Sequence, residues 1–240
     1  MEYFGPKSIR LLESYFEQEV INDILLKKCS IPEKKLSHKI WENCQLEECI
    51  LDESQFDYSE LKNVKIKMCN VRSVNFRKTK FSEVTCEQNI LIKADFSYST
   101  FSNVKMTESV LPLSSFVNSV FVNSHFRNLD WTRANLSNSV FYSCLFEFDG
   151  SFGVTGLRQG HLEKSFFYNC DFSGEIFDDC CIAENVFVKC RFHHIDWSDL
   201  EVQRTFFVDC SNSPEGLKKF QKIDLTDSEY LRLFTRSSLV

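Results

Sequence analysis

Apolar residues recur at every fifth position from Trp41 to Phe146 without a miss, 22 stops in a row, beginning Trp41, Leu46, Leu51, Phe56 and ending Trp131, Leu136, Phe141, Phe146. With 43% of the chain apolar, such a run has a chance probability on the order of 10⁻⁸, so the period is structural. It matches neither the roughly 3.6-residue period of a helix nor the period of about 2 of a strand. The backbone must therefore turn a corner every five residues, and four corners close a square coil of twenty. Sorted by face, the stops form columns. One reads Phe81, Phe101, Phe121, Phe141; the next reads Phe56, Phe76, Phe96, Phe116, Leu136; the other two are mainly aliphatic, such as Leu51, Val71, Leu91, Leu111. Two residues before each stop lies a second inward position filled mostly by slim side chains, among them Cys44, Ser54, Ala94, Ser119 and Cys144. A narrow tube leaves room for little more.

The register breaks once. After Phe146 the stops resume at Leu157 and Leu162 and run through Phe167, Phe172, Phe177, Ile182, Phe187, Phe192, Trp197 and Val202 to Phe207. Column continuity is restored if six residues bulge out between Glu147 and Gly156, since Phe141 is then followed by Phe167, Phe187 and Phe207. Three of the seven glycines lie in this stretch, as expected where backbone leaves a regular lattice. The pattern predicts an all-β solenoid of about eight coils over residues 36–210, with a projecting loop at about 147–156.

The ends read differently. Ile9, Leu12, Phe16, Val20 and Ile24 fall at helical spacing, which predicts a helical N-terminal cap within residues 1–35. Such a cap would cover the exposed edges of an open coil. At the other end Thr226-Asp227-Ser228-Glu229 reads as a capping box before Tyr230, Leu231, Leu233 and Phe234, so residues 211–240 are expected to form a helical cap or a dimerisation segment.

On these residues the chain resembles the pentapeptide-repeat family, whose repeats place Ala, Cys, Ser, Thr or Val two positions before a central Leu or Phe. Ala94-Asp95-Phe96-Ser97, Ala134-Asn135-Leu136-Ser137 and Cys170-Asp171-Phe172-Ser173 follow that pattern closely. The resemblance implies a right-handed quadrilateral β-helix. It also implies a non-catalytic protein, and in several members the C-terminal segment joins two tubes into a homodimer.

Composition narrows the chemistry. Of eleven cysteines, eight sit at the slim inward position (Cys44, Cys49, Cys69, Cys144, Cys170, Cys180, Cys190, Cys210) and Cys86 at a central one, so they read as free, buried packing in a reducing compartment. No run of 18 apolar residues and no basic-then-apolar leader is present, and the expectation is cytoplasmic. Motifs for nucleotide phosphates or paired-cysteine metal sites are missing, so neither cofactor nor metal is expected. Cys190 to Asp196 looks like a ligand list until coil geometry is applied, because Cys190 then points inward and His193 and His194 outward.

Charge is uneven. Residues 41–146 hold 12 acids and 11 bases, whereas 147–210 hold 12 acids and 5 bases. The acidic distal coils favour a protein partner with a basic surface over nucleic acid. Two functional classes follow. The first is a protein-binding scaffold acting through its outer faces and loop, including the case of a secreted bacterial effector. The second, implied by the resemblance, is a DNA mimic that binds and protects a topoisomerase such as gyrase against quinolones or toxins. The expected partner-binding residues are Phe148, Asp149 and Phe152 in the loop and Asp178, Asp179, Glu184 and Asp199 on the acidic coils.

Overall fold

The computed structural model describes residues 1–5, 9–150, 156–174, 177–197, 200 and 202–213, and within the first helix the side chains from Leu12 onward. The chain winds into a parallel β-solenoid of about ten turns. One face is a ten-stranded parallel sheet running from Glu2–Phe4 through Ile24–Lys27 and successive coils to Arg191–His193; another, also of ten strands, runs from Val20–Asn22 to Phe206–Val208. The remaining two faces are held by single bridges such as Gln55↔Asn75↔Asp95 as far as the insertion, and beyond it by short strands, Leu157–Arg158 with Phe177–Asp178 and His161–Glu163 with Cys181–Ala183 and Val202–Gln203.

The five-residue period has a backbone cause. Two residues after each central side chain the chain turns through the left-handed region, as at Asn63 (φ 51°), Asn103 (φ 54°) and Asn123 (φ 49°). Asn tolerates that conformation better than most residues. The corner N–H then donates to the next coil, as Asn63 N does to Ser82 O at 2.9 Å, so each turn is hydrogen-bonded although it lies outside the strands.

Central side chains stack like on like. Phe81, Phe101, Phe121, Phe141, Phe167, Phe187 and Phe207 form one column with ring centroids 4.5–5.0 Å apart. The coil repeat of about 4.8 Å equals the spacing of hydrogen-bonded strands, so the ladder itself sets the ring separation. The slim inward position has a second role that volume does not suggest. Ser139 Oγ donates to Phe116 O (2.7 Å) and accepts from Ser119 N (3.2 Å), and the same relay runs from Thr79 through Ser99, Ser119, Ser139, Ser165 and Asn185 to Thr205. Buried backbone groups at the corners thereby find partners inside an otherwise apolar tube.

The N-terminal expectation needs correcting. The helix spans only Ile9–Phe16, where Leu12 is fully buried and Phe16 rests against Trp41 at 6.2 Å, so it does cover the coil end. Val20 and Ile24 belong instead to strands in register with Ile40 and, through Leu25↔Gln45, with the following coil. The ladder thus begins at Glu2–Phe4, and regular coils begin near Val20 rather than at residue 36, which accounts for the coils beyond eight. The reason is that Phe16, Ile21, Leu26, Ile31 and Leu36 continue the fives backward, and parallel pairing onto an existing ladder outweighs a weakly amphipathic helical pattern.

At the insertion, Phe141↔Phe167 and Phe146↔Phe172 pair directly, so six extra residues leave the lattice and every column resumes on its own face. Phe148 does not join the excursion. It is buried, and its N–H donates to Ser173 O at 2.9 Å, so the chain leaves the coil one step later than the loop boundary of 147 implies. Gly174 makes this fit. At φ +91° it turns the next corner so close to Phe148 that an added Cβ would stand 1.8 Å from Phe148 O. Gly174→Ala is expected to cost about 2–3 kcal/mol, from left-handed strain plus a backbone clash, read as a lowered denaturant midpoint with unchanged slope.

Candidate functional site

Among the described residues the interior is packed almost throughout by central side chains, and the polar and charged groups stand on the outer faces. A cavity inside the tube at the insertion is walled by Trp131, Leu136, Leu157, Phe172 and other apolar side chains, with no titratable group to act on a substrate. Outer positions are the residues flanking each central one and the corners between them.

The acidic distal coils carry less free charge than a count implies. A twenty-residue offset places side chains directly above one another, and opposite charges occupy those offsets: Arg158 Nε lies 2.7 Å from Asp178, Arg191 Nη2 lies 2.8 Å from Asp171, and Arg204 pairs with Glu184. Asp179 accepts from Gln159 Nε2 at 3.3 Å. The same alternation appears on the proximal coils, in Lys27–Glu47 and Lys67–Glu87. Each exposed pair contributes little to stability, about 0–1 kcal/mol, yet locally it cancels the field that a basic partner would sense. Of the residues expected to bind a partner, Asp178, Asp179 and Glu184 lie on these outer faces, while Asp199 falls outside the described residues.

In the loop, Phe148 is 6% exposed and packs into the core, so it cannot serve as an outward anchor as the structure stands. Asp149 is exposed but tied down, accepting from Arg127 Nη2 (2.9 Å) and Asn128 Nδ2 (2.8 Å), while its own N–H donates to Asn128 Oδ1 (3.0 Å). That clamp fixes where the excursion starts. Phe152 lies outside the described residues, as do Tyr230, Leu231, Leu233 and Phe234 of the expected C-terminal segment.

An outer feature that the five-residue pattern hides lies along one tube edge. His38, Tyr58, Lys78 and Tyr98 occupy the same corner on successive coils, every one in the left-handed conformation. His38 stacks on Tyr58 at 4.9 Å, Lys78 Nζ sits 4.9 Å from the Tyr58 ring, and Arg77 lies 5.2 Å from the Tyr98 ring while bonding Asp95 at 3.1 Å. Tyr58 is 50% and Tyr98 49% exposed. Large aromatic side chains at solvent-facing corners gain little from the core, and they leave an exposed aromatic edge on the tube. Reading outer positions at a spacing of twenty would have found it.

The thiols divide cleanly. Cys181 is exposed and Cys210 partly so, whereas the other nine are buried. Burial pushes the Cys86 thiol up to about 12 and, with the neighbouring Cys49, the Cys29 thiol to about 11, so neither offers a thiolate nucleophile near neutral pH. Cys190 faces inward and His193 and His194 outward, so those three do not converge. A different trio does: the donor atoms of His161, Glu163 and Cys181 lie within 4.8 Å of one another, with Cys181 Sγ 3.3 Å from Glu163 Oε1. Mixed nitrogen, oxygen and sulfur donors suit a borderline ion such as zinc, but all three side chains stand on an open face, and Cys181 already donates to the carboxylate. Native protein is expected to titrate one thiol rapidly, Cys181, and all eleven only after denaturation. Fast reaction of three or more native thiols would contradict the buried columns.

Residues 39–116 match the family model described as a pentapeptide repeat region, and the five-residue lattice continues that repeat on either side. Residues 39–116 therefore carry a pentapeptide repeat region. No curated protein matches it. Among solved structures it is similar to HetL, a pentapeptide repeat protein involved in heterocyst differentiation regulation from the cyanobacterium Nostoc sp. strain PCC 7120, at 10% identity and a TM-score of 0.44 over 83% of this chain and 92% of that one. It is also similar to full-length QnrB1, a plasmid-mediated fluoroquinolone resistance protein (12% identity, TM-score 0.35, 98% and 94% covered). A third likeness is to a pectate lyase (11% identity, TM-score 0.48, 88% and 76% covered).

Proposed function

We propose that this protein is a non-catalytic scaffold that binds a protein partner through its outer faces, in a reducing compartment where its thiols stay free. The observation that carries the reading is the corner edge of His38, Tyr58, Lys78 and Tyr98 with Arg77 beside it. Tyr and Arg are enriched in binding hot spots, and here the stacking of Tyr58 and the Arg77–Tyr98 contact already hold them in place, which lowers the ordering cost of binding. In a purified-partner assay, Tyr58→Ala combined with Tyr98→Ala should leave the fold intact and weaken binding about tenfold or more. Partners captured equally well by wild type and by the double variant would sink this assignment of the edge.

The DNA-mimic reading keeps one observation in its favour, the excess of acids on the distal coils. Against it, Asp171, Asp178 and Glu184 are each bonded to an arginine one coil away, whereas a phosphate mimic needs its charges unpaired. The scaffold reading expects gyrase supercoiling to be unaffected by micromolar protein. Inhibition or protection that charge reversal at Asp178, Asp179, Glu184 and Asp199 abolishes would favour the mimic instead.

A further inference from the structure

The strands His161–Glu163 and Cys181–Ala183 lie side by side in register, His161 beside Cys181 and Leu162 beside Ile182. Leu162 and Ile182 are buried, so the alternation of a strand sends His161, Glu163 and Cys181 outward on one face. Before the insertion, the column that leads to His161 carries amides, a carboxylate and a hydroxyl: Gln55, Asn75, Asp95, Ser115 and Asn135. An imidazole and a thiol follow one another on it only beyond the insertion. Cys181 is also the one fully exposed thiol among eleven, so it is not there to fill the tube.

Distances within the trio match a coordination sphere. Bond lengths of about 2.0–2.3 Å around a tetrahedral zinc ion put its donors roughly 3.3–3.7 Å apart. Cys181 Sγ lies 3.3 Å from Glu163 Oε1, and His161 Nδ1 lies 3.6 Å from the same oxygen, so two of the three edges already have that length. All three donor atoms fall within 4.8 Å of one another, and rotation of exposed side chains can close the third edge. The backbone beneath them is fixed before an ion arrives: His161 N–H donates to Ala134 O at 3.0 Å and Cys181 N–H to Gly160 O at 3.1 Å. Two other histidines face a carboxylate, His125 with Glu147 and His193 with Asp171, but among the described residues neither pair gathers a third donor.

We propose that His161, Glu163 and Cys181 form a binding site for a single zinc-class divalent transition-metal ion, with three protein ligands and a fourth position open to water. Imidazole, carboxylate and thiolate together select a borderline ion over magnesium or calcium, which take oxygen ligands. The thiol proton that Cys181 donates to Glu163 leaves to bulk water as the metal–sulfur bond forms, and the carboxylate oxygen released from that hydrogen bond turns to the ion. Binding therefore weakens as pH falls, because protons compete for the sulfur and the imidazole nitrogen. The open face fits an exchangeable ion, since structural zinc sites are closed by four protein ligands. No motif along the chain announces the site, because Cys181 meets His161 only through the coil offset of twenty. It does not depend on which partner the corner edge binds.

The test uses the full-length chain, reduced and without an affinity tag. Zinc titrated against a chromophoric chelator near neutral pH should saturate at one ion per chain with micromolar or tighter affinity. Cobalt should give the absorption of a tetrahedral centre together with a thiolate charge-transfer band. Cys181→Ser, His161→Gln and Glu163→Gln should each weaken binding about tenfold or more, whereas His194→Gln, outside the trio, should leave it unchanged. Added zinc should also slow the reaction of Cys181 with a thiol reagent, and a chelator should restore it. Unchanged circular dichroism and denaturant midpoints establish that the variants fold, as expected at exposed positions. No stoichiometric binding of either ion at micromolar concentration would overturn the proposal. So would an affinity that Cys181→Ser and His161→Gln leave intact, or a cobalt spectrum of an octahedral centre without the thiolate band.

Discussion

Phe101→Ala is expected to lower the stability of the tube by ~3–5 kcal/mol, read as a fall in the denaturant midpoint. Phe101 is 1% exposed and is stacked between Phe81 at 4.7 Å and Phe121 at 4.5 Å, with Phe96 and Phe116 tilted against it at 5.9 and 6.0 Å. In a globular core, neighbours close part of such a void. Here each neighbouring ring is fixed by strands paired above and below, Thr100–Ser102 with both Lys80–Ser82 and Val120–Val122. The cavity therefore stays open and the cost should fall at the high end for a buried aromatic. Lys105→Ala, an exposed change on the next strand of the same coil, should stay within about 0.5 kcal/mol. A loss below 1 kcal/mol for Phe101→Ala would mean the rungs can slide, and would remove the rigid-ladder account of the fold.

How much of this was legible in the sequence depends on which positions are read. The central residues announce themselves, and the length of the insertion follows from asking which shift lets Phe141 meet Phe167. At the N-terminus the same five-residue count runs on through Ile21, Leu26, Ile31 and Leu36, but Val20 and Ile24 also suit a helix, and local periodicity cannot say that a ladder is waiting to be extended. The outer surface is harder because it is organised at a spacing of twenty. Asp178 with Arg158, Asp171 with Arg191 and Glu184 with Arg204 are twenty residues apart, and summing charge over a segment conceals that they cancel. The corner edge of His38, Tyr58, Lys78 and Tyr98 obeys the same offset. In a solenoid the chemistry of the surface is written down columns, not along the chain.

Asn185 tests whether the slim inward column is chosen for volume or for hydrogen bonding. It is fully buried; its Oδ1 accepts from Ser165 N at 2.8 Å, its Nδ2 donates to Leu162 O at 2.6 Å, and its own N–H donates to Thr205 Oγ1 at 3.3 Å. If volume were all that mattered, Asn185→Val would be harmless, since Val occupies equivalent inward positions at Val64, Val74 and Val104 without exposure. The relay predicts otherwise. Val at 185 would leave one backbone donor and one acceptor without their partners inside the tube, and each unsatisfied buried group costs about 1–3 kcal/mol, giving about 4 kcal/mol together. Asn185→Ser should cost far less, about 1 kcal/mol, because Ser139 already makes the equivalent pair of bonds two column positions away, to Phe116 O and from Ser119 N. The decisive comparison is the difference between the two variants in equilibrium unfolding. If Val and Ser at this position prove equally stable, the relay is incidental and the column is selected for size alone. If Ser is clearly the better, the cysteines of the same inward position carry part of that role as well, since Cys170 Sγ and Cys190 Sγ each lie 3.5 Å from the carbonyl oxygen of a preceding coil.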